Sequence, residues 1–455
     1  MKRRFRWIIV SFLIAIVILL SGPRPVLPFY LGGIQVNEPD VKTWTQALKT
    51  AGMNTVEVTV YATQEEWNTD HLRFAAKNEG VVQEIRAAKA AGLKVVLILR
   101  IGLDHAYPEN QFLWHGLIMP RTDEQLAQWF KKYTDFVNQW ADIAEAEGVE
   151  VLGIGSEMSA LTSTLPVTTL PDLERYYLDS LEQRALIHNV LEYKEQIPLS
   201  ELTLSNGYQF QTLEEFLEQR LQAWQAWAKQ VSYQTSENMI PKGQPTAIAA
   251  INRRRRTLDQ HWRQLIHQTR QVYTGKLTYA ANFDQYQSVG FWDDLDLIGI
   301  NAYFPLRTHV TQGNQQQLKK QLEVGWQKVL GDVESFRRTQ SISDKGVLFT
   351  ELGYTRWDQN TLKPWQYSGF SLVGQPGQQQ VILWNLQPTN GQERVLAVEA
   401  LYKTVKAKYA DLLQGILYWK ISTQPQHESI EPFALILNDN PPDPIQKILR
   451  KFLPK

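Results

Sequence analysis

Residues 93–103 read LKVVLILRIGL, a nearly unbroken apolar run flanked by a helical pattern on one side and a polar loop on the other. A strand of this kind is buried on both faces, which happens in parallel sheets covered by helices. The same unit recurs along the chain. GGIQV (32–36), NTVEVTVY (54–61), VEVLGIG (149–155), KLTYAANF (276–283), DLIGINAYF (296–304), KGVLFTEL (345–352) and QGILYWKI (414–421) complete a set of eight β-rich segments. Helical patterns lie between them. VKTWTQALKT (41–50) closes on Gly52, and VVQEIRAAKAAG (81–92) leads into the third strand. Thr122 and Gln125 have the spacing of a capping box. Behind them Leu126, Trp129, Phe130, Tyr133, Phe136, Val137 and Trp140 share one face at a 3.6-residue period, and Gly148 ends the helix. Eight alternations of this kind over 455 residues predict an α/β fold, a (β/α)8 TIM barrel. A doubly wound sheet is the competing arrangement, but it favours a Gly-rich phosphate loop after the first strand, and none is present there.

Two stretches stand outside this alternation. The chain opens with MKRRFR and an apolar run from Trp7 to Leu20, followed by Ser21-Gly22-Pro23. A basic flank before a short apolar core predicts export, as a cleaved signal peptide or an uncleaved membrane anchor, so residues 1–28 are read as signal or anchor plus linker. Residues 29–455 form the barrel. Within it, residues 160–258 separate the fourth and fifth strands and read as a helical insertion on the catalytic face, expected to wall one side of the cleft. The run Arg253–Arg256 reads as a solvated helix face.

Composition removes several functions. The chain has no cysteine, so disulfides, thiolate metal sites and cysteine nucleophiles are excluded. Lys plus Arg and Asp plus Glu number 47 each, which gives no global field for nucleic acid. The eight histidines show no metal-ligand spacing, so neither metal nor cofactor is expected. His105 and His115, on the loop after the third strand, are candidates for the site but read more simply as surface or satisfied core residues. The chain also carries 15 Trp and 18 Tyr, a supply that suits stacking on sugar rings as well as a core.

The chemistry lies at two strand ends. The fourth strand runs into Glu157 and the seventh into Glu351. A carboxylate pointing into a core is costly, whereas at the C-terminal rim of a barrel it faces the cleft. One such glutamate is most simply a rim residue; two, on strands that face each other across the mouth, predict the paired carboxyls of a glycosidase.

The segments AEAEGVEVLGIGSEMS, HWRQLIHQTRQVYTGKLTYAANFD, LDLIGINAYFPL, KGVLFTELGY and GILYWKI resemble clan A of the glycoside hydrolases and, within it, family 113, known for endo-β-mannanase activity. The likeness covers most of residues 30–450 outside the insertion. It implies a retaining hydrolase of a β-linked glycan, with Glu157 as acid/base and Glu351 as nucleophile. By the same resemblance Tyr303 bonds the nucleophile, Trp419 forms the sugar platform, and Asn282, Ser156, Asn301 and Tyr354 contact substrate. The clan commonly has Asn before the acid/base; Ser156 stands there in this chain. The expected partner is a carbohydrate, with the membrane added if the N-terminal segment stays uncleaved, and the chain reads as a monomer. A non-catalytic glycan-binding barrel and an envelope-polysaccharide transglycosylase are the alternatives.

Overall fold

The computed structural model describes residues 29–110, 113–162, 222, 245–308, 314–365, 370–373, 381–384, 389–437 and 440–453. The N-terminal apolar run and most of the expected insertion lie outside the described residues. Among the described residues no helix is long and apolar enough to cross a membrane.

Eight strands close into a barrel. They are β1 (Tyr30–Gln35), β2 (Thr55–Gln64), β3 (Lys94–Leu103), β4 (Val151–Ser156), β5 (Lys276–Asn282), β6 (Leu297–Asn301), β7 (Gly346–Leu352) and β8 (Leu413–Ser422). Each pairs in parallel with the next, and β1 pairs with both β8 and β2, so no barrel edge is left open. At the closing seam Gly32 admits no side chain, since a Cβ there would lie 1.7 Å from the Thr55 carbonyl oxygen. Inward residues such as Tyr30, Ile98, Val151, Ala280, Leu297, Leu348 and Leu417 pack into one small cluster that fills the barrel. The outward residues join a second, larger core beneath the helices.

Those helices include α1 (Val41–Thr50), α2 (Glu79–Ala90), α3 (Asp123–Ala146), α4 (Pro245–Val272), α5 (Gln315–Thr339) and α6 (Gly391–Thr404). Gly52 and Gly148 follow α1 and α3 with φ of 80° and 66°, a conformation that glycine adopts without strain. The apolar face read on α3 is buried along its whole length, from Leu126 to Trp140. Its start is a complete capping box: the Thr122 hydroxyl accepts from Gln125 N at 3.2 Å, and the Gln125 side chain accepts from Thr122 N at 3.3 Å. Thr122→Ala is expected to destabilise the protein by about 1 kcal/mol, read as a lower urea midpoint. An unchanged midpoint would show that packing alone fixes this end.

Helix α3 also supports the cleft. The Tyr133 hydroxyl donates to the Ile154 carbonyl at 2.8 Å, and Trp129 Nε1 donates to Gln64 Oε1 at 2.9 Å. These bonds tie the helix to the last residues of β4 and β2, next to the barrel mouth.

Candidate active site

Strand β4 ends one residue before Glu157, which takes a φ of 53°. A non-glycine residue in this left-handed region persists only where its surroundings hold it, and such strain gathers at functional sites. Here the holding groups are explicit. Glu157 N donates to the Ala280 carbonyl at 2.9 Å, and the next amide, Met158 N, donates to the Tyr279 hydroxyl at 2.7 Å. Trp262 Nε1 then donates to Leu161 O at 2.7 Å, pinning the following turn. The chain therefore turns sharply and aims the Glu157 carboxyl over the barrel.

Glu351 lies within β7 and is buried. Its Oε1 accepts from Arg100 at 2.5 Å and from Asn301 Nδ2 at 3.0 Å, while its Oε2 accepts from the Tyr303 hydroxyl at 2.5 Å. The Asn301 amide also reaches the other carboxyl, donating to Glu157 Oε1 at 2.9 Å. One nitrogen thus bridges both acids, so the two oxygens it touches are at most about 6 Å apart, the two bonds laid end to end. The amide orientation follows from its other end, where Asn301 Oδ1 accepts from the Thr350 hydroxyl at 2.7 Å.

Two residues that the sequence reading did not assign to the site complete the constellation. Arg100, on β3, donates to Glu351 and, at 3.1 Å, to Glu57 of β2. It is the lone cation in the apolar run 95–103, and that interruption was the available signal. His115 read as a surface or core residue. The structure instead sets its Nε2 3.4 Å from Glu157 Oε2, because two short 3-10 turns, Pro108–Asn110 and His115–Leu117, fold the loop back over the mouth. His105 stays in that loop as a brace, its Nδ1 2.9 Å from the Asn110 carbonyl oxygen.

The remaining sequence candidates separate. The Trp419 ring is half-buried, with the Arg100 guanidinium 5.3 Å and the Lys420 ammonium 4.4 Å from its centre. Ser156 is buried below the pair, and its hydroxyl lies 3.4 Å from Asn301 Nδ2. Asn282 is also buried, its side-chain oxygen accepting from Phe283 N at 2.9 Å. Tyr354 is not brought to the carboxyls. It has no exposed surface and belongs to the hydrophobic core, with Tyr418 and Glu393 as its electrostatic neighbours.

Burial lifts the Glu351 carboxyl above its usual range; Arg100 opposes that lift and the Glu157 charge adds to it. Burial acts on Glu157 in the same direction, but the hydrogen bond and charge of His115, the Asn301 amide and Arg100 outweigh it and hold Glu157 below the usual range. Two carboxyls joined through one amide titrate as a pair. Tyr303, raised by burial and by Glu351, remains a donor throughout.

One guanidinium faces two carboxylates here, so Glu57 is the excess acid. Burial pushes it up to about 8, against the pull of Arg100. A carboxyl raised in the folded state stabilises the fold below its unfolded value of 4.5, and this contribution is lost as pH rises through about 8. Glu57→Gln is expected to flatten that loss: the melting temperature of the variant should change less between about pH 5 and about pH 9 than that of the parent. Equal slopes would mean that Glu57 is ionised throughout.

The sequence model of Glycoside Hydrolase Family 113 matches residues 35–164 and 219–387. Among solved structures, one of a family 113 β-1,4-mannanase superposes with a TM-score of 0.55 at 15% identity, covering 94% of this chain and 98% of that one. The family 113 β-mannanase of Alicyclobacillus acidocaldarius in complex with ManMIm gives 0.53 at 15% identity, with 93% and 95% coverage. At that identity the likeness speaks for the fold. No curated protein sequence matches the chain.

Proposed function

The chain belongs to glycoside hydrolase family 113 and is a glycosidase, and we propose that it hydrolyses a β-mannan-type glycan with retention of configuration. The observation that carries the reading is the amide shared by Glu157 and Glu351. Inverting enzymes hold their carboxyls roughly 6.5–9.5 Å apart to admit a water, whereas retaining ones bring them to about 5–5.5 Å. The bound of about 6 Å set by Asn301 favours the second.

In this mechanism Glu351 attacks the anomeric carbon as the glycosidic C–O bond breaks, and Glu157 gives its proton to the leaving oxygen. Water then attacks the same carbon, Glu157 takes its proton, and the glycosyl ester to Glu351 is released. In the free site the shifts run the other way, Glu351 raised and Glu157 lowered, and the donors indicate how bound substrate would reverse them. Glu351 has a guanidinium, a phenol and an amide fixed against it, all of which favour its charged form. Glu157 owes its lowered carboxyl first to His115, whose 3.4 Å contact is long for a hydrogen bond. A glycosidic oxygen seated at Glu157 would replace that contact and leave burial dominant, which favours the protonated acid.

The Trp419 ring, on the inward side of β8, offers a flat apolar face for the attacked sugar. Ser156 carries a short, buried hydroxyl and so lacks the amide that the clan commonly places there. Asn301, from a different strand, puts an amide between the two acids and is proposed to serve in its stead. The test is the anomeric configuration of the first product, followed by NMR during hydrolysis of a β-1,4-linked manno-oligosaccharide. Initial release of the β-anomer is expected. Initial release of the α-anomer would overturn the assignment of Glu351 as nucleophile.

A further inference from the structure

The seam where β1 meets β8 carries a buried polar cluster. Glu38, in the loop after β1, is its centre. Its Oε1 accepts from the Ser422 hydroxyl at 2.5 Å and from Thr423 N at 2.9 Å, and its Oε2 accepts from the Thr423 hydroxyl. The Ser422 hydroxyl has one proton to give, and Glu38 takes it. His427 Nδ1, 2.7 Å from the same oxygen, is therefore the protonated ring nitrogen and donates to it, as does Gln424 N at 2.9 Å. One carboxylate thus clasps the end of β8, 384 positions along the chain, to the loop that follows β1.

The segment held this way reaches the active site. Past His427 the chain turns back: Leu437 N donates to the Ser422 carbonyl at 2.8 Å, and Leu435 and Ile436 pair in parallel with Ile421 and Ser422. The bend sets the Phe433 ring edge-on to the Tyr303 ring, with centroids 5.9 Å apart. Phe433 also lies against Gly353, two residues beyond Glu351, where an added Cβ would fall 2.9 Å from Phe433 Cδ1. Arg356 N, in the loop after β7, donates to the Pro432 carbonyl at 3.1 Å. Phe433 is therefore wedged between the end of the strand that carries Glu351 and the phenol that bonds it.

A wedge matters at this place. The Tyr303 hydroxyl is at the far end of its ring, so a small turn of the ring moves it most, and a hydrogen bond weakens steeply once misaligned. The loop between Ser422 and Phe433 has only one short 3-10 turn, Pro425–Ser429, as regular structure of its own. Its course is set by its ends, and the Glu38 cluster fixes the first of them.

We propose that Glu38 is a positioning residue of the reaction: through Ser422 and His427 it clamps the loop after β8, which keeps Phe433 behind Tyr303 and the Tyr303 hydroxyl on Glu351. This rests on the reading of Glu351 as nucleophile with Tyr303 as its donor. Closure of the barrel and alignment of the nucleophile are then one device.

Glu38→Gln is expected to lower kcat about tenfold on a β-1,4-linked manno-oligosaccharide and to leave KM within about twofold, since Tyr303 supports the attacking group rather than the bound sugar. Ser422→Ala removes only the hydroxyl that joins Glu38 to His427. It should give the same loss, and it carries the test if Glu38→Gln does not fold. The deciding measurement is a double-mutant cycle. On a Tyr303→Phe background no phenol hydroxyl is left to misalign, so neither substitution should lower kcat further. A cluster that only holds the fold together would lower the melting temperature with kcat unchanged, or would multiply the Tyr303→Phe loss by its own full factor; either result overturns the proposal. Parental kcat in Tyr303→Phe alone would remove Tyr303 from the reaction, and the clasp with it. A parent enzyme without turnover of this substrate defeats the β-mannan reading itself, and the kinetic role of Glu38 on this glycan falls with it.

Discussion

Glu351→Gln is expected to lower kcat on the order of 10^5-fold, the scale seen when an attacking group is removed from a working constellation. The substitution keeps the shape of the side chain and one accepting oxygen, enough for the Tyr303 donor or for the Arg100 and Asn301 donors but not for both sides, and the amide cannot form the glycosyl ester. Folding should survive it. Burial already favours the uncharged carboxyl at this position, and loss of the Glu351 charge removes one of the causes that keep Glu57 protonated beside Arg100. A melting temperature close to the parent, beside lost turnover, is therefore the expected pair of results. Glu351→Ala and Glu157→Ala then separate the two roles with azide. In the first, azide fills the vacated space and attacks from the nucleophile's side, giving a glycosyl azide of inverted configuration. In the second, it replaces water on the glycosyl-enzyme and gives retained configuration. The opposite pairing would exchange the assignments, and Glu351→Gln with a hundredth of parental activity would remove Glu351 from the reaction.

Arg100→Met carries the second large effect. Arg100 is buried and bonds two acids, while a third, Glu157, is linked to the same group through Asn301. Removing one side of a buried ion pair costs about 3–5 kcal/mol, because the partner is left charged in a medium that does not solvate it. The loss should be largest at about pH 8 and smaller at about pH 5. Without the guanidinium the folded-state carboxyls rise further, and their protonation at lower pH restores stability. Activity should move in the same sense. Arg100 opposes the lift of Glu351, and the nucleophile acts as the anion, so the acidic limb of kcat/KM should shift to higher pH. Adding Glu57→Gln to Arg100→Met should recover part of the stability by removing one of the stranded acids. A variant with parental stability at about pH 8 and an unmoved acidic limb would show that the cation is dispensable.

The eight strands and the face of α3 were legible because their signals are local. A strand sealed on both sides must be apolar along its length, as in Val95–Leu99, and a helix on the barrel must carry its large residues at one period, as from Leu126 to Trp140. Glu157 and Glu351 were visible for a related reason: a carboxylate ending an apolar strand is an anomaly in one dimension. Tyr354, expected from the resemblance to contact substrate, has its side chain in the core, a placement that its neighbours in sequence do not show. His115 was noticed but read away from the site, because its loop has no period to read and its place depends on two short turns.

By itself the sequence determined the barrel, its eight strands, the capped helix that supports the cleft, and the two acids at the strand ends, because each is written in the burial pattern or chemistry of adjacent residues. Tertiary structure alone decided that Arg100, 251 positions from Glu351, lies against it, and that Asn301 joins two acids 144 and 50 positions away. These contacts arise where four strands and a loop converge at the closed mouth. That convergence is set by barrel closure and strand register, which no stretch of neighbouring residues contains.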